Sequence, residues 1–138
     1  KCFDWNIEES EQLGAVLRPV AEIAIKDTNG NWKYISTYVD SGADISVFKE
    51  VLELLGFDIE TGEYAKFGGA GGGEVEVYLH KVTLKLGGDV LTVNVAFCKK
   101  HESKTPNLLG RLDLFEMFEI HFRNLDKETC FILTKTDT

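Results

Sequence analysis

Ala21, Ile23 and Ile25 alternate with polar or smaller neighbours, a period of two that predicts a half-buried strand. Asp27-Thr28-Asn29-Gly30 supplies turn chemistry, and Trp32-Lys33-Tyr34-Ile35 resumes the strand, so the pair reads as a hairpin whose second arm runs into Asp40. Beyond it Ser46 is placed to cap a helix through Leu55. Val47, Val51, Leu54 and Leu55 fall near helical spacing, and Gly56 suits a left-handed stop. A long alternating stretch follows, with Val75, Val77 and Leu79 on one face. Its phase shifts near His80-Lys81 to Val82, Leu84 and Leu86, which predicts a bulge or bend. Gly87-Gly88-Asp89 turns the chain into Leu91, Val93, Val95 and Phe97. Lys99 to Pro106 reads as a polar loop and Leu112 to Phe118 as a short helix. Ile120 and Phe122 lead through a turn at Asn124 to Lys127 into a last strand, Thr129 to Leu133. The sum is an all-β fold, mostly β with two short helices and no internal repeat.

At 138 residues, 43% hydrophobic and 28% charged, the chain is long enough to bury one core without staples. Residues 1–14 are acidic and weakly patterned, with Glu8, Glu9 and Glu11 close together. They read as a loosely packed N-terminal extension, and residues 15–138 as the domain. A formal net charge of -8 argues against nucleic acid or an anionic membrane as partner, because both need a basic patch. No apolar run has membrane-spanning length. Cys2, Cys98 and Cys130 are odd in number and far apart, without disulfide-framework or zinc spacing, so they read as reduced thiols of a cytoplasmic protein. His80, His101 and His121 are scattered likewise, and no metal is expected.

Candidate chemistry centres on Asp40-Ser41-Gly42, a carboxylate at the end of the apolar Tyr38-Val39 strand followed by a hydroxyl and a glycine. Alone, the tripeptide arises by chance in on the order of one in twenty chains of this length, as a polar turn. Ala43 and Asp44 extend it. Far downstream, Leu108-Leu109-Gly110-Arg111 supplies two apolar residues, a glycine and a cation, and Gly68-Gly69-Ala70-Gly71-Gly72-Gly73 lies between the two motifs.

In that order, from about Val16 to Phe122, these elements resemble the retropepsin family of dimeric aspartic proteases. The resemblance implies a closed acid-protease barrel with one lobe per chain. It implies Asp40 as the catalytic acid, paired with Asp40 of a second copy so that two close carboxylates share a proton and activate a water. Ser41 would bond across the dimer, Gly42 would leave room for substrate, and Leu108, Leu109 and Gly110 would thread beneath the loop. Asp44 and Arg111 would form an ion pair within one subunit, and Arg18, followed by Pro19, would reach Asp44 of the partner. No cofactor is implied. The partners are a second copy and a peptide substrate.

The glycine run has other readings, a flexible loop or a phosphate cradle. The acidic strand Glu74-Val75-Glu76-Val77 behind it, rather than a helix N-terminus, favours a flap over bound peptide, with Phe67 nearest its tip. The chain's continuation from Ile120 to Thr138 departs from the compact viral members of the family. For the whole protein, the alternative to a peptidase is a non-catalytic dimeric module that binds peptide on the same fold.

Overall fold

The computed structural model describes residues 1–48, 55–56, 58–68, 74–98 and 107–134. Its strands are β1 (Cys2–Asp4), β2 (Asn6–Ser10), β3 (Gly14–Arg18), β4 (Val20–Lys26), β5 (Trp32–Val39), β6 (Ser46–Phe48), β7 (Glu63–Gly68), β8 (Glu74–Leu86), β9 (Asp89–Cys98), β10 (Leu108–Leu109), β11 (Phe118–Arg123) and β12 (Glu128–Leu133). The β4–β5 hairpin forms where the alternation places it. Asp27 fixes its turn, its Oδ1 accepting the backbone N–H groups of Asn29 at 2.9 Å and Asn31 at 2.8 Å.

Six of these strands close on themselves in the order β4, β5, β10, β6, β9, β8. β8 returns to β4 through the pairs Ala24↔Lys85 and Ile25↔Leu84. Closure removes sheet edges and turns one face of every strand inward. Ile23, Ile25, Phe48, Leu84, Val95, Phe97 and Leu109 fill that interior, with Phe48 and Phe97 meeting edge to face at 6.1 Å. β7 extends the sheet beyond β8 as the other arm of a hairpin, paired from Glu63↔Leu79 to Gly68↔Glu74.

The phase shift in β8 has a cause other than a bulge. Its register with β9 runs without interruption from Val77↔Cys98 to Leu86↔Asp89. Val82, Leu84 and Leu86 face the main core, whereas Val77 joins Ile45, Ala96 and Cys98 in a second, smaller cluster with Leu79 packed against it. One regular strand is covered first on one side and then on the other.

Both predicted helices are borne out only in part: Leu55 is helical at the end of the first, but its start is not, and the second is kinked. Ser46 caps no helix; it opens strand β6, and its hydroxyl is taken by the N–H of Gly110, just after the neighbouring strand β10. Residues 49–54 of that predicted helix lie outside the described residues, and Gly56 does have the positive φ, 78°. At 111–117 the backbone is helical but kinked, interrupted by extended Leu112 and by Asp113 at φ 65°. The Asp113 carboxylate explains the kink: it accepts the Asn94 backbone N–H at 2.7 Å and the Asn94 side-chain amide at 3.0 Å. Lys99 to Pro106, expected as a loop, lies outside the described residues.

The first four residues do not pack loosely. β1 pairs antiparallel with β12, which pairs with β11, in the C-terminal hairpin the alternation predicts. This three-stranded sheet lays Phe3, Phe118 and Phe131 on the barrel core, with ring centroids 5.8 Å apart for Phe3–Phe131 and 5.9 Å for Phe118–Phe131. Cys2 and Cys130 sit directly opposite each other and form a disulfide that joins positions 128 apart in sequence; Cys98 is buried. Reduced Cys2 and Cys130 were the wrong expectation, because pairing depends on a strand register that spacing does not reveal. β2 and β3 form a separate two-stranded ribbon. Among the described residues no helix is long and apolar enough to cross a membrane.

Candidate active site at the end of strand β5

Strand β5 turns Thr37 and Val39 into the barrel, which leaves Tyr38 and the following Asp40 on the opposite side. β10 runs parallel beside it, Leu108 opposite Tyr38 and Leu109 opposite Val39, and on its other flank pairs with β6. The N–H groups of Tyr38 and Asp40 donate to the carbonyls of Asn107 at 2.8 Å and Leu109 at 3.0 Å. The far end of the loop is tied to the same segment: the Arg111 N–H donates to Ala43 O and the Leu112 N–H to Asp44 O, both at 2.9 Å. The loop is therefore clamped at entry and exit by one passing segment.

Two glycines make this crossing possible. A Cβ on Gly110 would lie 2.4 Å from both the carbonyl carbon and oxygen of Ile45, so only glycine lets the strand pass under the loop. The Gly110 N–H is satisfied by Ser46 Oγ at 2.9 Å, in a buried position. Gly42 N–H donates to Asp40 Oδ1 at 2.8 Å, and a Cβ there would stand 3.2 Å from that oxygen. The turn thus fixes one carboxylate oxygen of Asp40, and no hydrogen bond from the described residues engages the other.

The Arg111 guanidinium donates to Asp44 Oδ1 in an ion pair with both side chains largely exposed. Such a pair contributes under about 1 kcal/mol to stability and acts mainly as a second tie between loop and turn. Ser41 is exposed beside Asp40. Phe67 and Gly68 end strand β7, at the tip-side end of its hairpin with β8; Gly69, Ala70, Gly71, Gly72 and Gly73 lie outside the described residues.

Arg18 lines an open cavity of about 390 Å³ with Glu8, Pro19, Tyr38, Val39, Asp40 and Leu108, and among the described residues it makes no ion pair within its own chain. Glu8 and Tyr38 are site residues that sequence reasoning missed. The Glu8 carboxylate accepts a hydrogen bond from the Tyr38 hydroxyl. Burial, then that bond, then the Glu8 charge push the Tyr38 phenol up to about 12, with Arg18 opposing them. Strand alternation alone put Tyr38 on the side of Asp40. For Glu8 no local signal existed, since its position depends on how the ribbon folds back. Cys2, Cys130 and Glu128 converge within 4.8 Å, but both sulfurs are in the disulfide and offer no thiolate to a metal.

Neither a scan against models of known protein families nor a search of curated proteins finds a match to this chain.

Proposed function

We propose that the chain is one subunit of a homodimeric, retropepsin-like aspartic endopeptidase, with Asp40 as its catalytic acid. The observation that carries this reading is the clamped loop: a carboxylate at the mouth of a closed barrel, held at both ends by the segment 107–112. In the dimer two Asp40 carboxylates face each other and share one proton. The ionised member takes a proton from the attacking water as the other protonates the departing amide. Gly42 presets one oxygen of each carboxylate, so the water meets the free one. Ser41 bonds across the interface, and Asp44 and Arg111 keep the loop from sliding. The peptide lies extended beneath the β7–β8 hairpin, which closes over it and sheds water. The mechanism needs no metal or organic cofactor, and the partners are a second copy and a peptide rather than nucleic acid or a membrane. The cytoplasmic location expected from three reduced thiols loses its support, because a disulfide of this span fits an oxidising compartment.

The test is cleavage of a mixed peptide library from acidic to neutral pH, with and without a statine-type inhibitor, by wild type and Asp40→Asn. Wild type should cleave and be blocked by the inhibitor, and the variant should lose on the order of 10²–10⁴-fold in rate. Sedimentation should show a dimer. If wild type and variant are equally inert the enzyme reading fails, and retained inhibitor binding would identify a binding module.

A further inference from the structure

The cavity beside Asp40 is apolar on one side and anionic on another. Pro19 and Leu108 supply hydrocarbon, Glu8 and Asp40 supply two carboxylates, and Arg18 supplies one guanidinium. Its volume of about 390 Å³ suits a side chain rather than a whole ligand, standing at the low end of the roughly 300–1,000 Å³ of small-molecule sites. We propose that Glu8 is a specificity residue of this cavity, and that the side chain it selects is a lysine or arginine next to the scissile bond of an extended peptide. This rests on the peptidase reading and adds the substrate class to it.

A long aliphatic stem ending in a cation matches both halves of the lining: the stem covers hydrocarbon and the head meets carboxylate oxygen. Glu8 is aimed. Its hydrogen bond to Tyr38 holds the carboxylate in the cavity, and a carboxylate accepts about four bonds, so the tyrosine leaves room for an ammonium or guanidinium. Arg18 does not cancel this, because it is exposed and paired with neither acid. The whole-chain charge of -8 also raises the local concentration of cationic peptides. The opposite occupant, an acidic side chain on Arg18, would have to approach two carboxylates.

Peptides identical except for lysine, arginine, leucine or glutamate at one residue flanking the scissile bond decide the matter. Wild type should favour lysine or arginine over leucine by on the order of tenfold in kcat/KM, the yield of one charge-assisted bond. Glu8→Gln, which keeps the shape and an acceptor for Tyr38, should collapse that ratio toward one, and Arg18→Gln should raise it. A ratio that Glu8→Gln leaves unchanged, or a wild-type preference for leucine or glutamate, overturns the proposal. If no peptide is cleaved, the peptidase reading fails separately. Fluorescence anisotropy of labelled lysine and leucine peptides on wild type and Glu8→Gln then judges the cavity: a Glu8-dependent lysine preference supports it and equal binding sinks it.

Discussion

The Asp40 loop and the β2–β3 ribbon border the same cavity, yet they are held there by different kinds of bond. The loop is fixed by backbone hydrogen bonds to residues 107–112 and by a crossing that only Gly110 permits. The ribbon pairs with itself, sends Glu8 across to Tyr38, and turns Ile7 and Leu17 to solvent. Two strands alone are marginal in water, so the ribbon's place depends on side chains and on its covalent flanks. One wall of the cavity is thus built into the barrel and the other is attached to it. On the proposed peptidase reading, chemistry that demands fixed geometry belongs to the first and selectivity to the second.

The largest blow to the attached wall is loss of its upstream anchor. Cys2→Ser cuts the tie between β1 and β12, just before the ribbon begins, and releases a loop of nearly the whole chain. Stability should fall by about 2–5 kcal/mol, read as a lower denaturant midpoint, and a reducing agent should reproduce this in wild type without adding to it in the variant. An unchanged midpoint would mean that strand pairing, not the bond, holds the N-terminal segment.

Breaking the built-in wall takes a smaller chemical change. Gly110→Ala drives a methyl against the Ile45 backbone, where no flexible side chain can yield. The cost should be about 1–3 kcal/mol by overpacking. Unlike Cys2→Ser, the variant should also depress peptide turnover beyond what its lost stability explains, because the displaced segment sets the loop carrying Asp40. Normal turnover per folded molecule would show that the loop tolerates movement of the strand beneath it.

These two walls also differ in how far the sequence announces them. Asp40, Gly42, Asp44, Gly110 and Arg111 were legible because a tight turn and a close crossing demand particular residue types within a few positions. The β4–β5 and β11–β12 hairpins were legible for a similar reason, since alternation and turn residues are local. Cys2–Cys130 was not, because the sulfurs meet through a register set by the entire intervening fold. The bulge inferred near His80 mistook a change of covered face for a change of geometry, which period-two patterning cannot separate. Ser46 had the chemistry of a helix cap, but its hydroxyl serves the Gly110 N–H, a tertiary demand outweighing a local one. Asp113 drew no attention, since nothing nearby hints at Asn94 as its partner.

The smallest effect expected is the sharpest probe of the attachment itself. The chain has four tyrosines, and the phenol of one of them, Tyr38, is raised from 10.0 to about 12. A group that ionises later folded than unfolded favours the fold below pH 10, and loses that contribution as pH climbs through about 12. Followed by phenolate absorbance, and taken as the difference between wild type and Tyr38→Phe, the titration should show one late tyrosine. Glu8→Gln should bring it down only part of the way, because burial is the leading cause and stays when the charge is removed. No late tyrosine in the difference titration would mean that the Glu8–Tyr38 contact does not hold the ribbon in solution. A late phase that Glu8→Gln leaves untouched would assign the shift to burial alone, and would remove the Glu8–Tyr38 bond as a tie between the ribbon and strand β5.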